Sequence, residues 1–367
     1  MSFSEKNVSF KMFYLPGGMD PRELQCFQNN VAPPLTILGD DPVHGWVTSR
    51  FLLDTDIKEE TVVISGYLYL TLMKAERKIP NALLKAECKL EEIAQMQAEG
   101  KEFLNRKEKS AIKKEITARL LPTMPATLTG IEMVYDSNEN IVYAECTTDK
   151  QTDVFIHMFE QTTGKKLIPL TPESAAVKRA NINIRDIPNC SFSPEIEDSA
   201  PEDFFGREFL TWVCFFCERL GGIINLELAG EFGIMLDGPV TLVNTGVQGA
   251  HFTQLRKGLP LASNEATTAL LGDKKIKQAK MIIARKDEVW ETHFDADEFI
   301  FRSTKLPKGE QLSGESKFQE RMLFTQGMTQ VVLTLYDKFL EVRYDDAKWA
   351  KMLDDIHVWM KDRKAYK

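Results

Sequence analysis

Alternating and helically spaced apolar positions mark out strands first, then a helical excursion, then strands again, and finally two closing helices. Residues 61–73, TVVISGYLYLTLM, place Ile64, Leu68, Leu70 and Leu72 on one face of a strand and Tyr67 and Tyr69 on the other, the pattern of a central strand. Pro80 opens a stretch in which Leu83, Leu84, Leu90, Ile93 and Met96 recur at helical spacing until Gly100 breaks it, and a second helix runs from about Asn105 to Leu121. After Pro122 the runs IEMVY and NIVYAEC, separated by the turn-forming Asp136-Ser137-Asn138-Glu139, predict a hairpin. Residues 153–163 read as a helix closed by Gly164. The segments Leu167-Ile168-Pro169-Leu170 and 181–187 (NINIRDI) read as extended chain.

Residues 188–203 carry Pro194, Pro201 and five acids without periodicity, which predicts a linker over 188–204 between an N-terminal domain (1–187) and a C-terminal domain (205–367). Past it, GREFLTWVCFFCERLGG is apolar around nearly its whole circumference, the mark of a buried helix ended by Gly221. Strands resume at PVTLVN, and AKMIIARK faces VWETHF across Asp287-Glu288. The closing amphipathic helices carry Phe324, Met328, Val331, Leu335, Phe339 and Val342 on one, and Trp349, Met352, Ile356 and Trp359 on the other. The expected class is α+β: mixed or antiparallel sheets, a protruding helical arm at about 80–121, and C-terminal amphipathic helices.

Totals narrow the field. With 43% hydrophobic and 27% charged residues in 367, the chain has the composition of a globular protein and enough length for two or three domains. No apolar run approaches the ~20 residues of a bilayer crossing. The first eighteen residues lack the features of a secretory signal, which predicts a cytoplasmic location. Six cysteines (Cys26, Cys88, Cys146, Cys190, Cys214 and Cys217) are too sparse for a disulfide framework and are expected as reduced thiols.

Charge is sorted along the chain. Lys101 to Arg119 packs seven basic residues against three acids, and Lys274 to Lys286 holds six basic residues and no acid; with −8 overall, the remainder carries −18. On a helical projection Ile112, Ile116 and Leu120 form a core-facing stripe, while Arg106, Lys107, Lys113 and Lys114 share a neighbouring sector and Glu108 and Glu115 lie on the far side. A Lys-rich helix is usually just a solvated face. A second run at Lys274, Lys275, Lys277 and Lys280 changes the picture: if both segments line one surface, they neutralise several phosphates and make affinity steeply salt-dependent. Between Arg106 and Arg119, and between Lys274 and Lys286, no aromatic is interleaved with the cations, so a duplex backbone read without sequence preference is the expected ligand, rather than stacked single-stranded bases.

Signals for catalysis are weaker. His293, Asp295 and Asp297 alternate along one stretch and could share a strand face around a divalent ion, yet no further ligand stands at a legible spacing. Cys214-Phe-Phe-Cys217 lies inside the apolar helix, where core packing explains it better than redox chemistry. Gly246-Val-Gln-Gly249 and Leu220-Gly221-Gly222 fit no phosphate-binding fingerprint, and His44, His157, His251 and His357 sit in unrelated contexts. No catalytic residue, metal or cofactor is expected.

The order of elements resembles the recombination-associated RdgC family, in its longer, divergent members. The resemblance is carried by Lys74-Ala75-Glu76-Arg77-Lys78-Ile79-Pro80, the arm ending Leu120-Leu121-Pro122, the hairpin, Leu167-Ile168-Pro169-Leu170, Gly206-Arg207-Glu208-Phe209-Leu210-Thr211-Trp212 and Lys305-Leu306-Pro307. It implies a homodimer that closes into a ring around double-stranded DNA, restrains RecA-dependent recombination, associates with the nucleoid and performs no catalysis. The DNA-contacting residues expected here are Arg106, Lys107, Lys113, Lys114 and Arg119 on the arm, Lys274, Lys275, Lys277 and Lys280, and Arg256 and Lys257 as the cations of the 244–257 loop. Two departures stand out: that loop differs, and Leu121-Pro122-Thr123-Met124-Pro125 replaces the arginine and aromatic of the family's DNA-reaching finger, which is not carried over. The competing readings are a metal-dependent DNA exonuclease using Asp295 and Asp297, and a protein-interaction scaffold that has kept the fold and lost DNA binding.

Overall fold

A computed structural model describes residues 3–4, 7–196, 204–227, 229–244, 251–310 and 312–365. In chain order the first half contains β1 (Val8–Tyr14), α1 (Gln25–Gln28), β2 (Val43–Thr48), α2 (Glu59–Val62), β3 (Val63–Ile64), β4 (Tyr67–Arg77), α3 (Asn81–Glu99), α4 (Arg106–Leu120), β5 (Ala126–Asp136), β6 (Ile141–Ala144), α5 (Asp149–Thr163), β7 (Ile168–Pro169) and α6 (Pro172–Ala180). The second half contains α7 (Gly206–Arg219), β8 (Ile223–Leu226), β9 (Gly230–Val243), β10 (Phe252–Leu255), α8 (Asn264–Leu271), β11 (Lys275–Arg285), β12 (Glu288–Asp295), β13 (Ile300–Lys305), α9 (Gly314–Arg343) and α10 (Asp346–Ala365).

All named strands join one sheet, ordered β10-β9-β11-β12-β13-β1-β6-β5-β4-β2, with β3 paired to β4, β7 to β1 and β8 to β9 off that path. Every pairing in it is antiparallel, so the class is α+β with a large antiparallel sheet. The segment 188–204 therefore joins two halves of a shared sheet: β1, from the first half, sits between β13 and β6. Phe192 of that segment is buried against Trp349, and residues 197–203 lie outside those described. Its prolines and acids read as a linker because sequence does not show where an irregular segment packs.

The two faces of β4 lead into two cores, as its alternation requires. Leu68, Leu70 and Leu72 join Trp46, Phe155 and Phe159 under α5, whereas Tyr67 and Tyr69 point to α9, where Tyr69 stacks on Phe318 at 4.9 Å. Ile64 leaves its expected face. Ser65 and Gly66, at φ 51° and 86°, fold β3 back onto β4 so that Ile64 lies opposite Tyr67 and packs on the tyrosine side. The larger core gathers α6, α7, α9 and α10 on the sheet, and each large side chain fully buried there contributes roughly 1.5–3 kcal/mol.

Helix α6 was not among the expected elements: Thr171 caps a helix begun by Pro172 and ended by Asn181 in left-handed conformation, and in the run 181–187, expected as extended chain, only Ile184–Asp186 is regular, as a 3-10 turn. Helix α7 is buried from Gly206 to Phe216, and this includes the charged Arg207 and Glu208. The turn between β11 and β12 falls one residue earlier than the composition suggests, at Lys286-Asp287, because Arg285 pairs with Glu288.

Candidate nucleic-acid interface

Strands β4 and β5 stay paired out to Arg77, the end of β4, and Ala126, the start of β5, and between these two residues the chain leaves the sheet as a two-helix arm. Nineteen residues of α3 at about 1.5 Å each carry it roughly 28 Å outward. Gly100, at φ 62°, turns the chain, and Asn105 starts the return helix: its side chain accepts from the backbone N–H of Lys107 and Glu108 while Glu108 accepts from its own N–H. The arm has a small core of its own, in which Leu104, Ile112 and Ile116 meet Leu84, Cys88, Met96 and Leu120. At its base Arg77 donates to the carbonyl oxygens of Pro122 and Met124, tying the returning chain to the end of β4.

The stripe expected on α3 is split. Leu84 and Met96 face α4, whereas Leu83, Leu90 and Ile93 are exposed, Leu90 at 65%. With the exposed Ala86 they recur at intervals of three and four, the spacing of a helix seam.

Along α4 the cations fall into two groups. Arg119 pairs with Glu87 at 3.0 Å, and Lys101, just before the helix, bridges Glu99 and Glu108 at 2.6 Å each. Those two carboxylates hold the Lys101 ammonium protonated far into the alkaline range, and Lys101 in turn lowers Glu108. Arg106, Lys107, Lys109, Lys113 and Lys114 are exposed and have no acid partner among the described residues. Lys109 belongs to this group although the helical projection left it out.

The second basic run is built differently. Lys275 is 2% exposed and pairs with Glu208 at 3.3 Å; Glu208 also accepts from Arg343 at 2.9 Å. Lys277 meets Asp297 at 2.7 Å, Lys280 meets Glu291 at 2.9 Å, and Lys274 donates to Thr253 at 2.6 Å. Lys275, Lys277 and Lys280 are consumed by the packing of β11 against α7, β12 and the residues just after β12, a long-range consequence that their spacing does not reveal, while Lys274 bonds a neutral hydroxyl on β10. Lys275 is thus withdrawn as a phosphate contact, and Lys277 and Lys280 are neutralised. Nor do the two segments form one strip: β11 stands five strand spacings from β5, about 24 Å along a sheet twisting by roughly 20° per strand. Arg256 and Lys257 are exposed beside β10, at the far edge, and residues 245–250 of their loop lie outside those described.

The residues offered as metal ligands are also engaged. Asp297, 2% exposed, accepts from Arg207 at 2.8 and 2.9 Å as well as from Lys277, and Asp295 accepts from Gln278 at 2.6 Å and from Arg302 at 3.5 Å. A cleft of about 640 Å³ opens beside Glu208, Arg343, Phe204 and Phe205, but its two buried charges satisfy each other. Cys214 is 1% exposed, and burial pushes the Cys217 thiol up to about 12, away from nucleophilic use. Among the described residues no helix is long and apolar enough to cross a membrane.

Residues 40–181, from just before β2 through α6 and including the whole arm, match a family whose model is described as "Putative exonuclease, RdgC". The chain is also 29% identical over 110 residues to the recombination-associated protein RdgC of Pseudoalteromonas atlantica (strain T6c / ATCC BAA-1087). That stretch is 30% of this chain and 36% of the relative, so the likeness spans about a third of the curated protein's length.

Proposed function

We propose that this chain, an RdgC-family member through residues 40–181, binds double-stranded DNA without sequence preference through the cationic face of its arm, as a non-enzymatic homodimer that restrains RecA-dependent recombination at the nucleoid. The observation that carries the reading is the group of five exposed, acid-free cations on α4 in a chain of net charge −8. Arg106 to Lys114 covers about 12 Å of helix, comparable with the width of a major groove, so these side chains reach phosphates on both of its walls. Nothing in such contacts reads a base.

The absence of catalysis is inferred from occupied carboxylates. Asp295 and Asp297 each carry a cationic neighbour where a nuclease needs them free for magnesium. Self-association is inferred from the exposed seam on α3. Lys85 lies in the first half of that helix and Glu91 in the second, while Lys89 and Glu92 pair within the helix at 3.7 Å, so two copies packed antiparallel bring Lys85 and Glu91 toward each other alongside Leu83, Leu90 and Ile93.

A salt-titrated gel shift on long duplex DNA tests the proposal. Five phosphate contacts give a slope of about −4.5 in log affinity against log salt per arm, and Lys113→Glu with Lys114→Glu flattens it by roughly 2 while weakening binding at least about tenfold. DNA incubated with the protein and magnesium stays intact, and strand exchange by RecA slows in its presence. Salt-insensitive binding, or none, rejects the reading.

A further inference from the structure

Phe103, at the far end of the arm, is the most exposed large apolar side chain among the described residues, at 78%. The loop that carries it is held on both sides. Before it, the Lys101 N–H donates to the Met96 carbonyl at 3.0 Å and the Lys101 ammonium bridges Glu99 and Glu108. After it, Leu104 is 6% exposed between the two helices, and Asn105 is locked in its reciprocal cap with Glu108. A ring so presented, about 28 Å from the sheet, has no packing role in the fold. It follows the exposed Glu102 and precedes Arg106 and Lys107 by three and four residues, on the loop that leads into the positive end of the α4 dipole.

We infer that Phe103 is an apolar wedge that enters a base step of the duplex whose phosphates the arm holds; this rests on the proposed DNA binding. Cations fix the backbone at the foot of the ring, and an aromatic side chain on a pinned loop loses little freedom when it inserts between partly unstacked bases. Pyrimidine–purine steps unstack most readily, so a TA step is where insertion is read most sensitively. The exposed seam on α3 faces sideways from the arm and is not needed for this contact.

The test uses the full-length chain and a duplex carrying 2-aminopurine at a central TA step, together with Phe103→Ala, Phe103→Leu and the Lys113→Glu/Lys114→Glu pair. Wild type is expected to raise 2-aminopurine emission. Phe103→Ala loses that rise and binds about tenfold more weakly with the same salt slope, whereas Phe103→Leu, another apolar wedge, keeps it. Because the ring is solvent-facing, all Phe103 variants melt with wild type. If Phe103→Ala keeps both the emission rise and the affinity while the lysine reversals weaken binding, insertion is overturned and the arm's phosphate role stands. If Phe103→Ala instead lowers the solution mass, the ring contacts a second copy and the inference fails. A wild-type protein that ignores DNA overturns both readings at once.

Discussion

Replacing Asp297 with asparagine separates a structural carboxylate from a catalytic one. Its two oxygens accept from Arg207 at 2.8 and 2.9 Å and from Lys277 at 2.7 Å, with Asp297 and Arg207 at 2% and 3% exposure. Lys277 is partly exposed and recovers hydration, so the cost comes mainly from the guanidinium left buried beside a neutral amide. Breaking such a pair costs about 3–5 kcal/mol, and because asparagine keeps one acceptor oxygen the loss is expected near the lower figure, about 3 kcal/mol. For 367 residues the unfolding entropy is about 0.8 kcal/mol per degree, which converts that loss to a fall of about 4 °C in Tm. Scanning calorimetry with a parallel urea titration measures it. A Tm that stays put or rises, joined to loss of a magnesium-dependent nuclease activity, would refute the structural assignment, since removing one of two neighbouring active-site carboxylates relieves repulsion.

Leu90→Glu, on the exposed seam of α3, is expected to halve the solution mass measured by light scattering without changing the circular dichroism. Glu145 gives a pH signature: burial pushes its carboxyl up to about 8, with Glu132 adding in the same direction. A raised folded-state value means that the protonated form suits the fold, so this contribution is complete below the ordinary 4.5 and is lost as pH climbs through about 8. Wild type should therefore lose stability progressively between pH 5 and pH 8, on the order of 3 kcal/mol at about 1.4 kcal/mol per pH unit, that Glu145→Gln retains in urea melts. At the start of α7, a Cβ on Gly206 would lie 1.8 Å from the carbonyl oxygen of Ala296, so Gly206→Ala should cost about 3 kcal/mol in the same assay.

Much of the arm was legible in the chain. Pro80, Gly100 and Asn105 act on their own backbone, and such local signals placed both helices to within a residue. The stripe Ile112, Ile116 and Leu120 likewise followed from helical spacing, and the apolar girth of 206–216 announced a buried helix. On α3 the same spacing overshot, because a two-helix arm has a partner for only one of its sides and leaves Leu83, Leu90 and Ile93 facing solvent.

Whether a lysine is free could not be read from its neighbours in sequence. Lys275 and Lys277 resemble Lys113 and Lys114 as letters, but Glu208 and Asp297, which neutralise them, lie 67 and 20 positions away. Phe103 shows the converse: it adjoins Leu104 in the chain, yet the packing of the arm buries the leucine and leaves the phenylalanine outside. Capping, turns and periodicity are short-range properties that the amino-acid order determines by itself. Ion pairing and exposure depend on which strands become neighbours, and here a sheet that threads β1 between β13 and β6 decided both.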